Sequence, residues 1–200
     1  MHSVIDLFKQ MQLQLDKTKQ LDFLGPLALR LYLAPVFWMA GMNKLADMDS
    51  IIAWFGNEEW GLGLPMPFVL AWLATLTEVV GAILLLVGFA VRWVSIPLMV
   101  TMLVAAFSVH WENGWQAVAD AKSPFPSEDI DSVMQRLEFA RNILQEHGNY
   151  TWLTERGSFV ISNNGIEWSI TYFVMCLALF FTGAGRYTSV DHYLRNRFMS

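Results

Sequence analysis

The sequence predicts an all-α protein in which a four-helix bundle crosses a lipid bilayer. Of its 200 residues, 54% are hydrophobic and only 16% are charged, whereas a soluble domain usually carries about 25% charged residues. Four apolar stretches also have the roughly 20 residues that a helix needs to cross the hydrocarbon core. So many long apolar stretches leave too little polar helix to cover them in water, and we therefore expect lipid to surround them.

The predicted membrane spans cover residues 24–45, 66–91, 93–111 and 165–185. Only Arg92 separates the second span from the third, which predicts a tight hairpin. An even number of spans places both termini on one side, and that side carries seven Lys and Arg residues against five on the other. Because the side richer in Lys and Arg is usually cytoplasmic, we expect a single membrane domain over residues 1–200 in a bacterial inner membrane, with both termini in the cytoplasm.

The N-terminal segment predicts an amphipathic helix that precedes the spans. Residues 2–20 place apolar side chains on one helical face and Gln and Lys on the opposite face. Such a helix is expected to lie on the cytoplasmic leaflet; a frayed polar tail is the alternative. The stretch lacks the continuous apolar core and cleavage site of a signal peptide, so we expect insertion to depend on the spans. The apolar positions are Val4, Leu7, Phe8, Met11 and Leu15.

Two polar connections lie outside the predicted spans. The first, DMDSIIAWFGNEEWGLGLP, predicts a short interfacial helix that ends at Gly56. The second is a polar insert over residues 112–164, in which a helix is expected to begin with Ser127 as its N-cap and to end at His147 and Gly148. An apolar stripe on this helix would cover the mouth of the bundle, lie on the lipid surface or bind a partner, and we favour the first interpretation.

Two charged residues fall inside predicted spans, where charge is costly and usually faces a partner or a cavity. Glu78 lies near the middle of the second span, and Arg30 lies about a turn and a half into the first. Because burial disfavours a carboxylate, Glu78 is expected to be protonated or to be accompanied by a cation. Arg30 would be that cation if the two helices are adjacent. Such a pair either fixes the helix register or takes part in chemistry.

A second polar set gathers at the predicted outer ends of three spans, where Lys, His and Glu share one depth. Ordinary headgroup-level polarity is one interpretation; a site for an oxygen or carboxylate of a substrate is the other, because His titrates near neutral pH.

The candidate catalytic residues, taken over all the predicted spans, are Glu78, His110 and Glu167. The candidate substrate-binding residues are Arg30, Asn43, Lys44, Glu112, Asn164 and Asp191.

The chain offers few ligands for a metal, and we predict neither a bound metal nor a cofactor. Its one cysteine, Cys176, excludes an internal disulfide and any site built from several thiolates. Met39 with Met42 and Met99 with Met102 form pairs three residues apart inside spans. Thioethers favour Cu(I), but methionine also fills apolar cores, and we favour core packing. The net charge of −5 gives no reason to expect nucleic-acid binding.

Three segments, MAGMNKL, TEVVGAILLLVG and NNGIEWSI…FTGAGRYTSVD, resemble the DoxX family of small four-helix membrane proteins. Two more, SVHWENGWQAVAD and HGNYTWLTERGSFVISNNGIEW, are similar to its HvfX-type subgroup, which is associated with maturation of copper-binding, ribosomally made modified peptides. The resemblance implies a role near membrane redox chemistry. The family name goes back to subunits of a quinone-linked thiosulfate oxidoreductase, and other members partner with superoxide dismutase and sulfur transferases. The family's motif positions fall on Gly41, Lys44, Glu78, Gly81, Gly88, Glu167, Gly183, Gly185 and Asp191.

Three functional hypotheses follow. In the first, the protein is an accessory subunit of a quinone-linked redox system or of copper-binding peptide maturation, with quinone as substrate, Glu78 exchanging the proton, and Lys44, His110 and Glu167 holding an oxygen. In the second, the bundle transports or anchors a copper-binding peptide, which the acidic outer side and the methionine pairs favour. In the third, a non-enzymatic scaffold recruits soluble maturation enzymes. All three expect protein partners encoded in a maturation or redox operon.

Overall fold

The computed structural model describes residues 2–198, with side chains from Val4 to Phe198. The secondary-structure elements of this part of the chain are helices. The α-helices are α1 His2–Lys17, α2 Leu24–Ala46, α3 Met48–Gly56, α4 Pro67–Val87, α5 Val91–Val104, α6 Ile130–His147, α7 Tyr150–Leu153, α8 Glu167–Thr182 and α9 Val190–Phe198. A 3-10 helix, Thr18–Leu21, follows α1. A π-helix, Ala105–His110, and a further 3-10 turn, Trp111–Asn113, continue α5. The predicted all-α class is therefore confirmed.

Three helical stretches have the length and apolarity to cross a membrane: Leu24–Ala46, Pro67–Val87 and Val91–Asn113. The fourth predicted span corresponds to α8, which has 16 residues. At 1.5 Å per residue α8 is about 24 Å long, which is shorter than a hydrocarbon core of about 30 Å. The molecule is thus a multi-pass membrane protein, while the fourth crossing, the inner membrane and the side of the termini stay predictions.

The turn between the second and third spans lies earlier than the sequence predicted. Helix α4 ends because Gly88 adopts the left-handed conformation, with φ 70°, and donates its N–H to the last turn of the helix. Ala90 also has a positive φ of 52°, and α5 begins at Val91. Arg92 therefore belongs to the first turn of α5. The prediction that Arg92 forms the hairpin turn is wrong. The apolar run on both sides of Gly88 hid this helix end.

The chain divides into two compact units. The first comprises the chain up to Thr101 together with the part from Val174 onward, and the second comprises Met102–Phe173. Within the first unit, α2 packs along α4 and α3 packs against α4. Because Lys44 of α2 meets Glu78 of α4 and Arg30 of α2 meets Gly88 at the C-terminal end of α4, α2 and α4 run antiparallel. The predicted single membrane domain stays a prediction.

The two short helices predicted in the first unit are both present. The N-terminal segment forms α1, and its apolar side chains Val4, Phe8, Met11 and Leu15 are 55–67% exposed. The helix is thus confirmed, and its contact with a lipid leaflet stays a prediction. Helix α3 ends at Gly56, as predicted, and its N-cap Asp47 accepts a hydrogen bond from the Ser50 N–H. Hydrogen bonding with the Ser50 side chain, and secondly with its N–H, lowers the pKa of Asp47.

The insert of the second unit contains the predicted helix with a different beginning. Helix α6 ends at His147, and the Gly148 N–H donates to the Leu144 carbonyl, as expected. The prediction of Ser127 as N-cap is wrong, because the N-cap position is Asp129 and no side chain caps the helix. The Ser127 hydroxyl instead accepts a hydrogen bond from Asn163 Nδ2 at 2.8 Å. A partner distant in sequence has replaced the local capping interaction.

Candidate functional site

The first unit contains a buried ion pair inside the membrane-spanning helices. Glu78 lies near the middle of α4 and is only 2% exposed. Lys44, near the end of α2, places its Nζ 2.8 Å from Oε1 and 2.6 Å from Oε2 of Glu78. The cation that accompanies Glu78 is therefore Lys44, and not Arg30 as the sequence suggested.

A glycine on α2 makes this pair geometrically accessible. A Cβ atom added at Gly41 would lie 2.5 Å from Val79 Cγ2 and 3.1 Å from the Val79 backbone nitrogen, so the two helices approach closely here. Lys44 follows Gly41 by three residues on the same helical face. Because helical side chains lean toward the N-terminus, the Lys44 ammonium returns to the depth of Glu78. The spacing of Gly41 and Lys44 thus positions the pair.

The two partners differ in their access to the surroundings. The side chain of Lys44 is 24% exposed and that of Glu78 only 3%. Among the described residues, Lys44 is the hydrogen-bond donor that the structure gives to the Glu78 carboxylate. A buried ion pair is stable only while both partners are present, and a proton moved from Nζ to the carboxylate would leave both groups neutral. The arrangement can therefore store one proton inside the span.

Arg30 is also buried but has other partners. It is 1% exposed and donates from Nη1 to the Ala184 carbonyl at 2.7 Å and from Nη2 to the Thr188 carbonyl at 3.0 Å. Its guanidinium occupies the space that a Cβ at Gly88 would fill. Arg30 therefore joins α2 to the segment that follows α8. Its Nε has no hydrogen-bond partner within the described part of the chain.

Asp191, at the start of α9, lies beside the turn between α4 and α5. Its Oδ1 accepts a hydrogen bond from the Ala90 N–H at 2.7 Å and its Oδ2 accepts one from the Val91 N–H at 3.1 Å. The carboxylate thus caps the first turn of α5, where unpaired N–H groups favour negative charge. The contacts of Arg30 and Asp191 are with the protein's own backbone, and their predicted role in substrate binding stays a prediction.

The second unit orients a histidine at the end of the π-helix. His110 Nδ1 lies 2.8 Å from the Asn164 carbonyl oxygen, which also accepts a hydrogen bond from Asn113 Nδ2 at 3.1 Å. A carbonyl oxygen only accepts hydrogen bonds, so Nδ1 must carry the proton and the neutral ring leaves Nε2 as an acceptor. Asn164 has a φ of 57°, a conformation that Asn tolerates better than most residues. Single-turn π-helices are frequent at functional sites.

A polar network around Asn163 supports this histidine, and its buried member Gln116 was not predicted as a site residue. Asn163 Nδ2 donates to the Asn113 carbonyl at 2.6 Å and to the Gln116 carbonyl at 3.0 Å. Gln116 is 3% exposed, and Glu167 Oε2 accepts a hydrogen bond from the Ala117 N–H at 2.9 Å. The adjacent asparagines at 163 and 164 were the available signal, since an asparagine side chain can donate hydrogen bonds to backbone carbonyl groups.

The structure thus groups the predicted site residues by unit. Lys44 meets Glu78 in the first unit, and His110 meets Asn164 in the second, which also holds Glu167. The side chains of Asn43 and Glu112 are exposed. The catalytic and substrate-binding roles of all these residues stay predictions.

The methionine pairs differ in exposure. Met39 and Met42 are 64% and 40% exposed, whereas Met102 is 8% exposed. Over residues 2–198, no group of three or more His, Cys, Asp and Glu side chains has the arrangement of a metal site.

One comparison with known proteins finds a match, and the matched segment includes both residues of the buried pair. No curated protein and no solved structure shows significant similarity to the chain. A family model does match residues 25–111, the part that contains α2, α4 and α5. The matching family is DoxX, and the segment that holds Lys44 and Glu78 is thus similar to that family.

Proposed function

We propose that this protein is a DoxX-type accessory subunit of a quinone-linked membrane redox system, in which the Lys44–Glu78 pair transfers protons. The observation that carries the proposal is the double contact of Lys44 Nζ with a carboxylate that is 2% exposed and lies mid-span. Ionisable residues inside membrane spans are expensive and commonly form proton pathways. The similarity of residues 25–111 to the DoxX family supports the redox setting.

The chemistry of quinone reduction gives the pair its role. Reduction of a quinone to a hydroquinone consumes two electrons and two protons, and the electrons would come from a reductant bound by a partner protein. Proton transfer from the Lys44 ammonium would first protonate Glu78, which would then deliver the protons one at a time to the quinone oxygens as a general acid. Each proton would be replaced through Lys44, because its side chain is partly exposed near the end of α2 whereas that of Glu78 is buried. In the second unit, Nε2 of His110 would accept a hydrogen bond or a proton from a bound molecule.

A quinone-reduction assay tests this proposal. The wild-type protein, purified with the products of neighbouring genes, should reduce a soluble quinone analogue faster than Glu78→Gln and Lys44→Met, since general acid–base groups typically contribute about 10²–10⁴-fold. Glu59→Gln, which changes an exposed acidic residue, is the matched control and should keep the wild-type rate. Equal rates for wild type and Glu78→Gln would remove the pair from the mechanism.

The likeness of residues 108–120 and 147–168 to the HvfX-type subgroup favours one specific setting, the maturation of copper-binding modified peptides. In this setting the redox system would serve a peptide-modifying enzyme as its membrane partner. Deletion of the gene should then leave the precursor peptide unmodified, as measured by its intact mass. Full modification in the deletion strain would exclude this setting while leaving the quinone assay unaffected.

A further inference from the structure

The C-terminal helix α9 presents an exposed apolar face. Val190, Leu194 and Phe198 recur every four residues and therefore share one side of the helix. Their exposed fractions are 40%, 38% and 73%, and the neighbouring Tyr193 is 64% exposed. Within the described residues these side chains are only partly covered, and Arg197, three residues after Leu194, lies on the same side of the helix. An apolar strip of this kind on a multi-pass membrane protein requires a covering surface.

The position of α9 limits what that surface can be. The Asp191 N–H donates to the Gly88 carbonyl, and the Asp191 carboxylate caps the N-terminus of α5. Helix α9 therefore begins at the turn that joins α4 and α5, where two membrane-spanning helices end. Because hydrocarbon gives way to lipid headgroups at the ends of spans, α9 begins at the depth of the headgroups.

The charges on and around α9 are mostly positive. Arg195 and Arg197 lie in the last turn of α9 and have no carboxylate within 4 Å among residues 2–198. Arg92 lies beside the C-terminal end of α8, where its Nε donates to the Phe180 carbonyl. The acidic residue of α9, Asp191, is engaged with backbone N–H groups. This end of the first unit therefore offers guanidinium groups, which suit phosphate oxygens.

Arg186 strengthens the junction from which α9 extends. Its Nη2 lies 2.7 Å from Asp22 Oδ1 and 3.1 Å from the Lys19 carbonyl oxygen. The hydrogen bond to the Asp22 carboxylate raises the pKa of Arg186. The segment that follows α1 and the segment that precedes α9 are thus tied together. The contacts of Arg186 and Asp191, and not those of the exposed apolar side chains, therefore hold the start of α9.

We propose that α9 is a lipid-binding surface for anionic phospholipids of the surrounding bilayer. Arg195 and Arg197 bind the phosphate oxygens of the headgroups, while Val190, Leu194 and Phe198 contact the acyl chains. Amphipathic helices with basic residues and exposed aromatic side chains bind membranes in this manner, and each juxtamembrane Arg strengthens the attraction to anionic lipid. The proposal is independent of the redox function.

Lipid titration of the full-length protein, followed by native mass spectrometry, tests the proposal. Wild type should bind phosphatidylglycerol more tightly than phosphatidylcholine, and added salt should reduce this preference. Arg195→Gln/Arg197→Gln should lower the affinity for phosphatidylglycerol roughly tenfold and leave that for phosphatidylcholine unchanged. Arg136→Gln/Arg156→Gln removes the same charge from exposed positions of the insert and should preserve the preference.

Three outcomes would overturn the proposal. The first is an unchanged phosphatidylglycerol affinity in Arg195→Gln/Arg197→Gln. The second is an equal loss in the insert control, which would show that overall charge and not α9 sets the affinity. The third is equal affinity of wild type for both lipids, which would leave an acidic protein surface as the partner of α9.

Discussion

Gly41 of α2 lies directly against Val79 of α4, so that a methyl group at position 41 would come within 2.5 Å of the Val79 side chain. The contact occurs one residue from Glu78 and three residues from Lys44. Close approach at Gly41 thus accounts for the ability of a lysine near the end of α2 to reach a carboxylate in the middle of α4.

We expect Gly41→Ala to destabilise the protein by roughly 1–3 kcal/mol, the usual effect of overpacking. The added methyl group must separate α2 from α4 or displace Val79. Unfolding in an SDS titration measures this effect. Gly25, on the same helix, has no atom within 4 Å of an added Cβ, so Gly25→Ala should be neutral or slightly stabilising. Equal stability of the two variants would contradict the close packing at Gly41.

Replacement of Arg30 by methionine should lower the free energy of unfolding by about 2–4 kcal/mol. The substitution leaves the carbonyl groups of Ala184 and Thr188 without the donors that they have in the structure. The same unfolding titration provides the measurement. Arg136, which is exposed, supplies the control, because Arg136→Met should change stability by about 0.5 kcal/mol or less. A fully stable Arg30→Met protein would show that the buried contacts of Arg30 are dispensable.

The neutral ring of His110 should carry its proton on Nδ1. The Asn164 carbonyl, 2.8 Å away, accepts that proton in a hydrogen bond. Nitrogen-15 chemical shifts of labelled histidines at alkaline pH distinguish the two tautomers, and His110→Asn identifies the signal. His147, whose side chain is 69% exposed, lacks such a carbonyl partner in the described chain and serves as the reference. A proton on Nε2 of His110 would contradict the geometry of the second unit.

Much of the fold follows from apolar pattern and length alone. The apolar runs predicted α2, α4 and α5, and the amphipathic spacing predicted α1, because both signals depend only on residues close in sequence. Glu78 was also identifiable, since a carboxylate within an apolar run is costly wherever the helix packs.

The partners of the charged residues could not be predicted in this way. The sequence suggested Arg30 as the partner of Glu78, because the register of α2 against α4 was not known. That register depends on the close contacts at Gly41 and Gly88, which involve residues distant in sequence. The same reason explains the error at Ser127, whose hydroxyl is bound by Asn163 and not by the helix that begins nearby.

The protonation state of Glu78 provides the most direct test of the buried pair. Infrared spectra of the reconstituted protein at neutral pH detect the C=O stretch of a protonated carboxyl group, and Glu78→Gln identifies the contribution of Glu78. Wild type should lack this band, because Lys44 stabilises the carboxylate. Lys44→Met should show it, because an unpaired carboxylate in the span takes up a proton. A Glu78 band of equal intensity in wild type and in Lys44→Met would contradict the ion pair.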